Sequence, residues 1–212
     1  MHPGTPIPVS AFFHDPLWLG RFIDLANELV LMNAKPKIIA RYTGLQSKAI
    51  ATRYLRLNNT IAKKGRLKLA SSRSFAAVHK RWGYDWNIQA ATFASICLKI
   101  ERSFDFPLNR GWLLATAYKT YLSLTEGMMK PLPTLNRLTF DDAYDLMNHF
   151  LPDRAGLALH ECNDCGTNYL VITEAELDGQ NCPMCSMQQR FVNLLQNVEK
   201  ITALRNQKRS GE

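Results

Sequence analysis

A chain of 212 residues, 46% hydrophobic and 10% aromatic, suffices for one main domain with a proper core and is not composed like a disordered segment. Its 26 Lys and Arg against 18 Asp and Glu give a net charge of +8 and a pI near 9.4, which points to an anionic partner, nucleic acid before an anionic membrane surface. No apolar run approaches the ~18 residues of a membrane span, and the Pro-rich start "MHPGTPIPVSAFFHDPLWLG" lacks the basic opening and apolar core of a secretory signal, so a cytoplasmic protein is expected.

Residues 1–14 read as a flexible lead-in to a helical domain spanning 15–150. Asp15 is placed to cap a helix with Pro16 in its first turn, running to about Asn33. Leu19, Phe22, Ile23, Ala26, Leu29, Val30 and Met32 give that helix a broad apolar face. From here the charge changes character. Between Glu28 and Asp85 there is no acidic residue, while thirteen Lys and Arg fall in the same interval.

That cationic interval contains "PKIIARYTGLQSKAIATRYLRLN", residues 36–58, which reads as a helix-turn-helix-like unit. Ile38, Ile39 and Tyr42 form the inner stripe of a short helix, Ala40 allows close packing, and Thr43-Gly44-Leu45 makes the turn, with glycine free to take a positive φ. Ser47 is a favoured N-cap residue for the second helix, which turns Ile50 and either Tyr54 or Leu55 inward. Gln46, Ser47, Lys48, Ala51, Thr52, Arg53 and Arg56 then face outward. Gln and Arg reach base edges and Ser, Thr and Lys reach phosphates, so this is a candidate DNA-binding face. Glycine-centred corners also occur in helical proteins that never touch DNA; the missing carboxylates favour the DNA reading, because a phosphate backbone repels them. The basic stretch 59–81 follows, with Lys63, Lys64, Arg66 and Lys68 as further candidate DNA contacts on an arm, or else as a solvated loop.

Segments 86–103 and 108–124 are apolar over much of their circumference and are expected to be the buried centre of a helical bundle, with Cys97 a small core residue. "LTFDDAYDLMNHFL" starts a further helix with Thr139 as its cap; Asp141, Asp142 and Asp145 read as acids placed early in a helix and not as metal ligands. An acidic zone then surrounds the cysteines: residues 141–178 hold nine Asp and Glu and one Arg154.

Cys162-x-x-Cys165 and Cys182-x-x-Cys185 are separated by sixteen residues, within a segment of 151–190. Two such turns brought together form the tetrahedral four-sulfur site that Zn²⁺ favours, a better fit at this spacing than an iron–sulfur cluster or a redox pair. A closed four-thiolate shell leaves no open position, so one structural zinc per chain is expected, and His160 beside the first pair is not needed as a ligand. Gly166 permits the backbone to reverse, and "TNYLVI" reads as a strand of a small zinc-ribbon-like subdomain. Residues 191–212 complete the chain as an amphipathic helix and tail, with Phe191, Leu194, Leu195, Val198, Ile201 and Leu204 at helical spacing in a segment of about 187–206. The absence of a G-x-G-x-x-G, a Walker loop or an H-E-x-x-H motif argues against an enzyme.

The runs "RFIDLANELVLMNAKPKIIARYTGLQSKAIATRYLRLN", "KKGRLKLASSRSF", "ATAYKTYL" and "CNDCGTNYLV…CPMC" together resemble the FlhC family, the C-type subunits of the bacterial flagellar master transcriptional activator. The resemblance covers roughly residues 20–190 and departs from the family pattern in the Pro-rich lead-in. It implies that Cys162, Cys165, Cys182 and Cys185 are zinc ligands, that the chain works in a hetero-oligomer with an FlhD-type subunit, and that the complex binds double-stranded promoter DNA of flagellar operons and recruits RNA polymerase. The competing reading is a zinc-ribbon adaptor that docks another protein without touching DNA.

Overall fold

The computed structural model describes residues 16–62, 83–104, 109–129, 137–150, 156–173 and 181–209. Among them, seven helices and one two-stranded hairpin follow in the order α1 (Pro16–Leu31), α2 (Pro36–Thr43), α3 (Ser47–Asn58), α4 (Gly83–Arg102), α5 (Arg110–Met129), α6 (Phe140–Phe150), β1 (Leu157–Glu161), β2 (Asn168–Ile172) and α7 (Pro183–Arg209). The mainly helical class expected from periodicity holds. The lead-in, Asp15, and most of the basic arm, with Lys63, Lys64, Arg66 and Lys68, lie outside the described residues.

α1 buries Phe22, Ala26, Leu29 and Val30 as its pattern predicts, together with Leu25, which the predicted stripe omits. Its end is closed by Asn33 in the left-handed region (φ 59°), which lets the Ala34 N–H reach the Leu29 carbonyl at 3.0 Å. α2 starts with Pro36 and stops at Gly44, whose φ of 67° allows its own N–H to close on the Ala40 carbonyl. Ile38, Ile39 and Tyr42 point inward as expected. In α3 one expectation is corrected: Gln46, extended at φ −69° and ψ 150°, is the N-cap, and no side chain caps the helix. Ser47 is already the first helical residue, which takes its hydroxyl off the cap position. The inward pair is Ile50 and Tyr54, while Leu55 is exposed. α3 is tied to the end of α1 by the Tyr54 hydroxyl, which donates to the Ala34 carbonyl, and by Asn58 Nδ2, which donates to the Val30 carbonyl at 2.8 Å.

The two apolar middle helices lie at the centre, running 83–102 and 110–129 where the pattern marked 86–103 and 108–124. α4 packs against α5, α6, α7 and both strands. Its small residues Ala90, Ala91, Ala94 and Cys97 are buried, which admits these neighbours at close range. Gly111 marks the closest approach of α5: a Cβ there would stand 2.8 Å from Tyr42 Cβ and 2.9 Å from Leu25 Cδ2. Tyr118 and Tyr121 hold the backbone ahead of α6, the first by donating to the Leu138 carbonyl (3.0 Å) and the second by accepting the Leu138 N–H (3.1 Å). Thr139 then caps α6 as predicted, in a reciprocal box: the Asp142 N–H donates to Thr139 Oγ1 at 3.2 Å and the Thr139 N–H to Asp142 Oδ2 at 3.0 Å.

The hairpin pairs β1 and β2 antiparallel, from Leu157 opposite Ile172 to Glu161 opposite Asn168. Only β2 was foreseen; "LALHE" has too little β-branched or aromatic content to announce β1. The two-residue alternation divides the hairpin's faces. Leu157, Leu159, Leu170 and Ile172 join the core of the helical bundle, whereas Ala158, Tyr169 and Val171 form a second cluster with Cys162, Cys182 and Cys185. The outer edge of β2 is met by buried Asn87 of α4, whose Nδ2 donates to the Leu170 carbonyl and whose Oδ1 accepts the Leu170 N–H, both at 3.0 Å. Asn87→Ala leaves both backbone groups without these partners in a buried setting; denaturant unfolding is expected to show a loss of about 3 kcal/mol.

Candidate metal centre and cationic face

The four cysteines of the two pairs come from different kinds of local structure. Cys162 directly follows β1 and Cys165 lies in the hairpin turn, which closes through the Gly166 N–H to the Cys162 carbonyl (2.8 Å) and the Cys162 N–H to the Thr167 carbonyl (3.1 Å). Gly166 sits at φ 70°, as the reversal requires. The second pair is not in a turn between strands. Cys182 immediately precedes α7, Cys185 lies within its first turn, and the Ser186 N–H reaches back to the Cys182 carbonyl at 3.0 Å. The division expected at residues 190/191 therefore falls inside a single continuous helix, because the helix starts at Pro183, a residue suited to a first turn.

The four Sγ atoms all lie within 4.8 Å of one another, with 3.7 Å between Cys162 and Cys185 and 3.6 Å between Cys165 and Cys182. A tetrahedron with Zn–S bonds of about 2.3 Å has sulfur–sulfur edges of about 3.8 Å, so the donor set fits zinc in both chemistry and size. None of the four is in a disulfide. Cys162 and Cys182 are buried, Cys185 is half-buried and Cys165 is exposed. His160 stacks edge-on against Tyr169, with ring centroids 5.4 Å apart, and is not among the converging donors.

The thiols are not equivalent. Cys165 is lowered to about 6 by hydrogen bonds from the Thr167 side chain and backbone, a partner that the spacing of the cysteines gives no sign of. Cys185 is pushed up to about 12 because its proton is shared toward the sulfurs of Cys165 and Cys162, and burial pushes Cys182 up. Cys97, fully buried in α4, is raised by burial and by Glu101, in keeping with an inert core thiol. Of the three acids expected early in α6, Asp141 and Asp142 lie in its first turn, where Asp141 pairs with Lys35 at 2.7 Å and Asp142 completes the Thr139 box; Asp145 lies beyond that turn and is buried.

In the cationic stretch, Ser47, Lys48, Thr52 and Arg56 of α3 and its N-cap Gln46 are exposed, with Lys37 and Arg41 exposed on α2. Thr52 spends its hydroxyl on the Lys48 carbonyl at 3.0 Å. Arg53 differs from its expected outward role: it is half-buried, its Nε is buried, and Nη1 folds back to the Ala49 carbonyl at 3.1 Å. No described helix is long and apolar enough to cross a membrane. Neither a protein-family model nor a curated protein matches the chain.

Because zinc takes thiolates, it displaces whatever protons the thiols hold. At neutral pH Cys182 and Cys185, both shifted up, hold theirs, while Cys165 is largely ionised. Zinc binding at pH 7 is therefore expected to release at least two protons, with affinity rising toward alkaline pH and falling as pH drops through 6. Calorimetry in buffers of different ionisation enthalpy reads the proton count directly; a value near zero contradicts the assignment.

Proposed function

We propose that the chain is the DNA-binding subunit of a transcriptional activator, with α2 and α3 as a helix-turn-helix, α3 as the helix that enters the major groove, and a structural zinc held by Cys162, Cys165, Cys182 and Cys185 in a zinc-ribbon-like role. The observation that carries this reading is the outer surface of α2 and α3. It is exposed, holds Lys37, Arg41, Lys48 and Arg56, and belongs to a stretch without a single carboxylate between Glu28 and Asp85. The Gly44 corner and the inward pair Ile50 and Tyr54 leave Gln46, Ser47, Lys48, Thr52 and Arg56 toward solvent, the polar and cationic set that base edges and phosphates select. Arg53, folded onto its own helix, acts in this scheme as a support for α3 and not as a base reader.

The likeness of "GLQSKAIATRYLRL" and "CNDCGTNYLV…CPMC" to FlhC sequences extends the proposal to an FlhD-type partner, to promoters of flagellar operons and to recruitment of RNA polymerase in the cytoplasm. Zinc acts here by bracing the fold, since four thiolates leave it no position for a substrate.

Fluorescence anisotropy with flagellar-promoter duplexes tests the proposal. Affinity is expected to fall steeply between about 50 and 200 mM salt, as counterion release dictates. Lys48→Glu and Arg56→Glu, both at exposed positions, are each expected to weaken binding about tenfold while leaving zinc content unchanged. Binding undiminished by both reversals rejects α3 as the contact helix. An adaptor that docks only protein gives no salt-dependent signal with any duplex.

A further inference from the structure

Every residue of α7 from Met187 to Lys200 is exposed, so this helix leaves the body of the protein within two turns of its start. At 27 residues it is about 40 Å long. A helix without tertiary packing is only marginally stable in water. Several of its exposed side chains are nevertheless large and apolar: Phe191 and Leu194 are 61% and 60% accessible, with Met184, Met187, Val192, Leu195 and Val198 also open.

The spacing of these residues is specific. Met184, Met187, Phe191, Leu194 and Val198 recur at alternating intervals of three and four, and Ile201 continues the series in the sequence. This seven-residue repeat is that of a left-handed coiled-coil seam, in which the first and fourth positions of each heptad insert between the side chains of a facing helix. A helix built only to lie on its own bundle needs no such register and would bury the stripe. The outer side is mostly polar, with Gln189 and Asn193 hydrogen-bonded one turn apart at 3.2 Å and Val192 its apolar exception.

We infer that α7 is a self-association helix that pairs along this seam with α7 of a second copy of the chain. The flanking positions argue for a second copy over a foreign helix. Partner choice in heterotypic coils is set by opposite charges beside the seam. Here those positions are Gln188, Arg190, Leu195 and Asn197, a single charge among four. Two identical helices side by side in parallel therefore meet no like-charged pair, and Leu195 widens the apolar contact. Glu199 and Lys200 fall on the outer side of the heptad. This inference stands independently of the DNA reading, since no residue of α2 or α3 enters it.

Sedimentation equilibrium of the zinc-loaded full chain tests it. The weight-average mass is expected to climb from 24.1 kDa toward twice that value as concentration rises, and raising the salt is expected not to reverse it, because the seam is apolar. Phe191→Asp and Leu194→Asp place a charge in the seam and are each expected to weaken association at least about tenfold. Gln196→Glu, on the outer side, is expected to leave it intact. Zinc content of all three variants should match the parent, since the sites are exposed, and helical circular dichroism should fall only in the two Asp variants, in step with the lost association. A mass that stays at 24.1 kDa at every concentration overturns the inference. So does a dimer that survives Leu194→Asp, or one lost equally in Gln196→Glu.

Discussion

The carboxamide of Asn87 supplies Leu170 with what a third strand would supply: an acceptor for its N–H and a donor for its carbonyl. A hairpin of two short strands is marginal alone in water. Here one edge is satisfied by a fully buried side chain from the central helix, and one face is sealed by Leu157 and Leu170 against the bundle core. The position of the cysteine knuckle follows from that contact, because Cys162 and Cys165 ride on the end of the same hairpin. Remove the amide and the link between helical core and thiol cluster rests more heavily on apolar packing, which is non-directional and specifies register poorly, beside the Gly156 N–H bond to the His149 carbonyl at 3.1 Å.

The thiol cluster joins two elements that otherwise share little. Cys162 and Cys165 belong to the hairpin, Cys182 and Cys185 to the base of α7. Beyond that base α7 is exposed, so its attachment depends on its packing near α4 and on the four sulfurs. A metal at that point would fix the direction in which the long helix leaves the body. In that arrangement the folding energy of metal binding, about 10 kcal/mol or more in small zinc peptides, is concentrated where the hydrophobic core is thinnest.

The cationic side is held by different means. Tyr42 of α2 meets Tyr144 of α6 edge-on with centroids 6.0 Å apart, and Arg41 donates to the Tyr144 hydroxyl at 2.9 Å. Lys35 pairs with Asp141 at 2.7 Å, and Gly111 lets α5 come against Tyr42 and Leu25 without a clash. Lys35, and Arg41 through one guanidinium nitrogen, thus hold α2 on the bundle, while Lys37 and the exposed side of α3 are turned outward. Net charge alone does not draw that distinction. It depends on which Lys and Arg have a neighbour in the fold.

Patterns that depend only on near neighbours in the chain were legible in the sequence. Helices α1 to α6 follow from apolar periodicity, the stop of α2 from Gly44, the start of α6 from Thr139, and the four-thiol set from two C-x-x-C pairs with Gly166 behind the first. What remained hidden rests on contacts between distant segments. Nothing near Asn87 announces a partner 83 residues away, β1 is a strand because β2 and the bundle cover it, and Arg53 reads as an outward cation until its half-buried setting is known. Local periodicity determines which faces are apolar, but only the folded chain decides which of them find a neighbour. On α7 the same kind of apolar spacing that buries α1 stays exposed, because the helix runs on past its contact with α4.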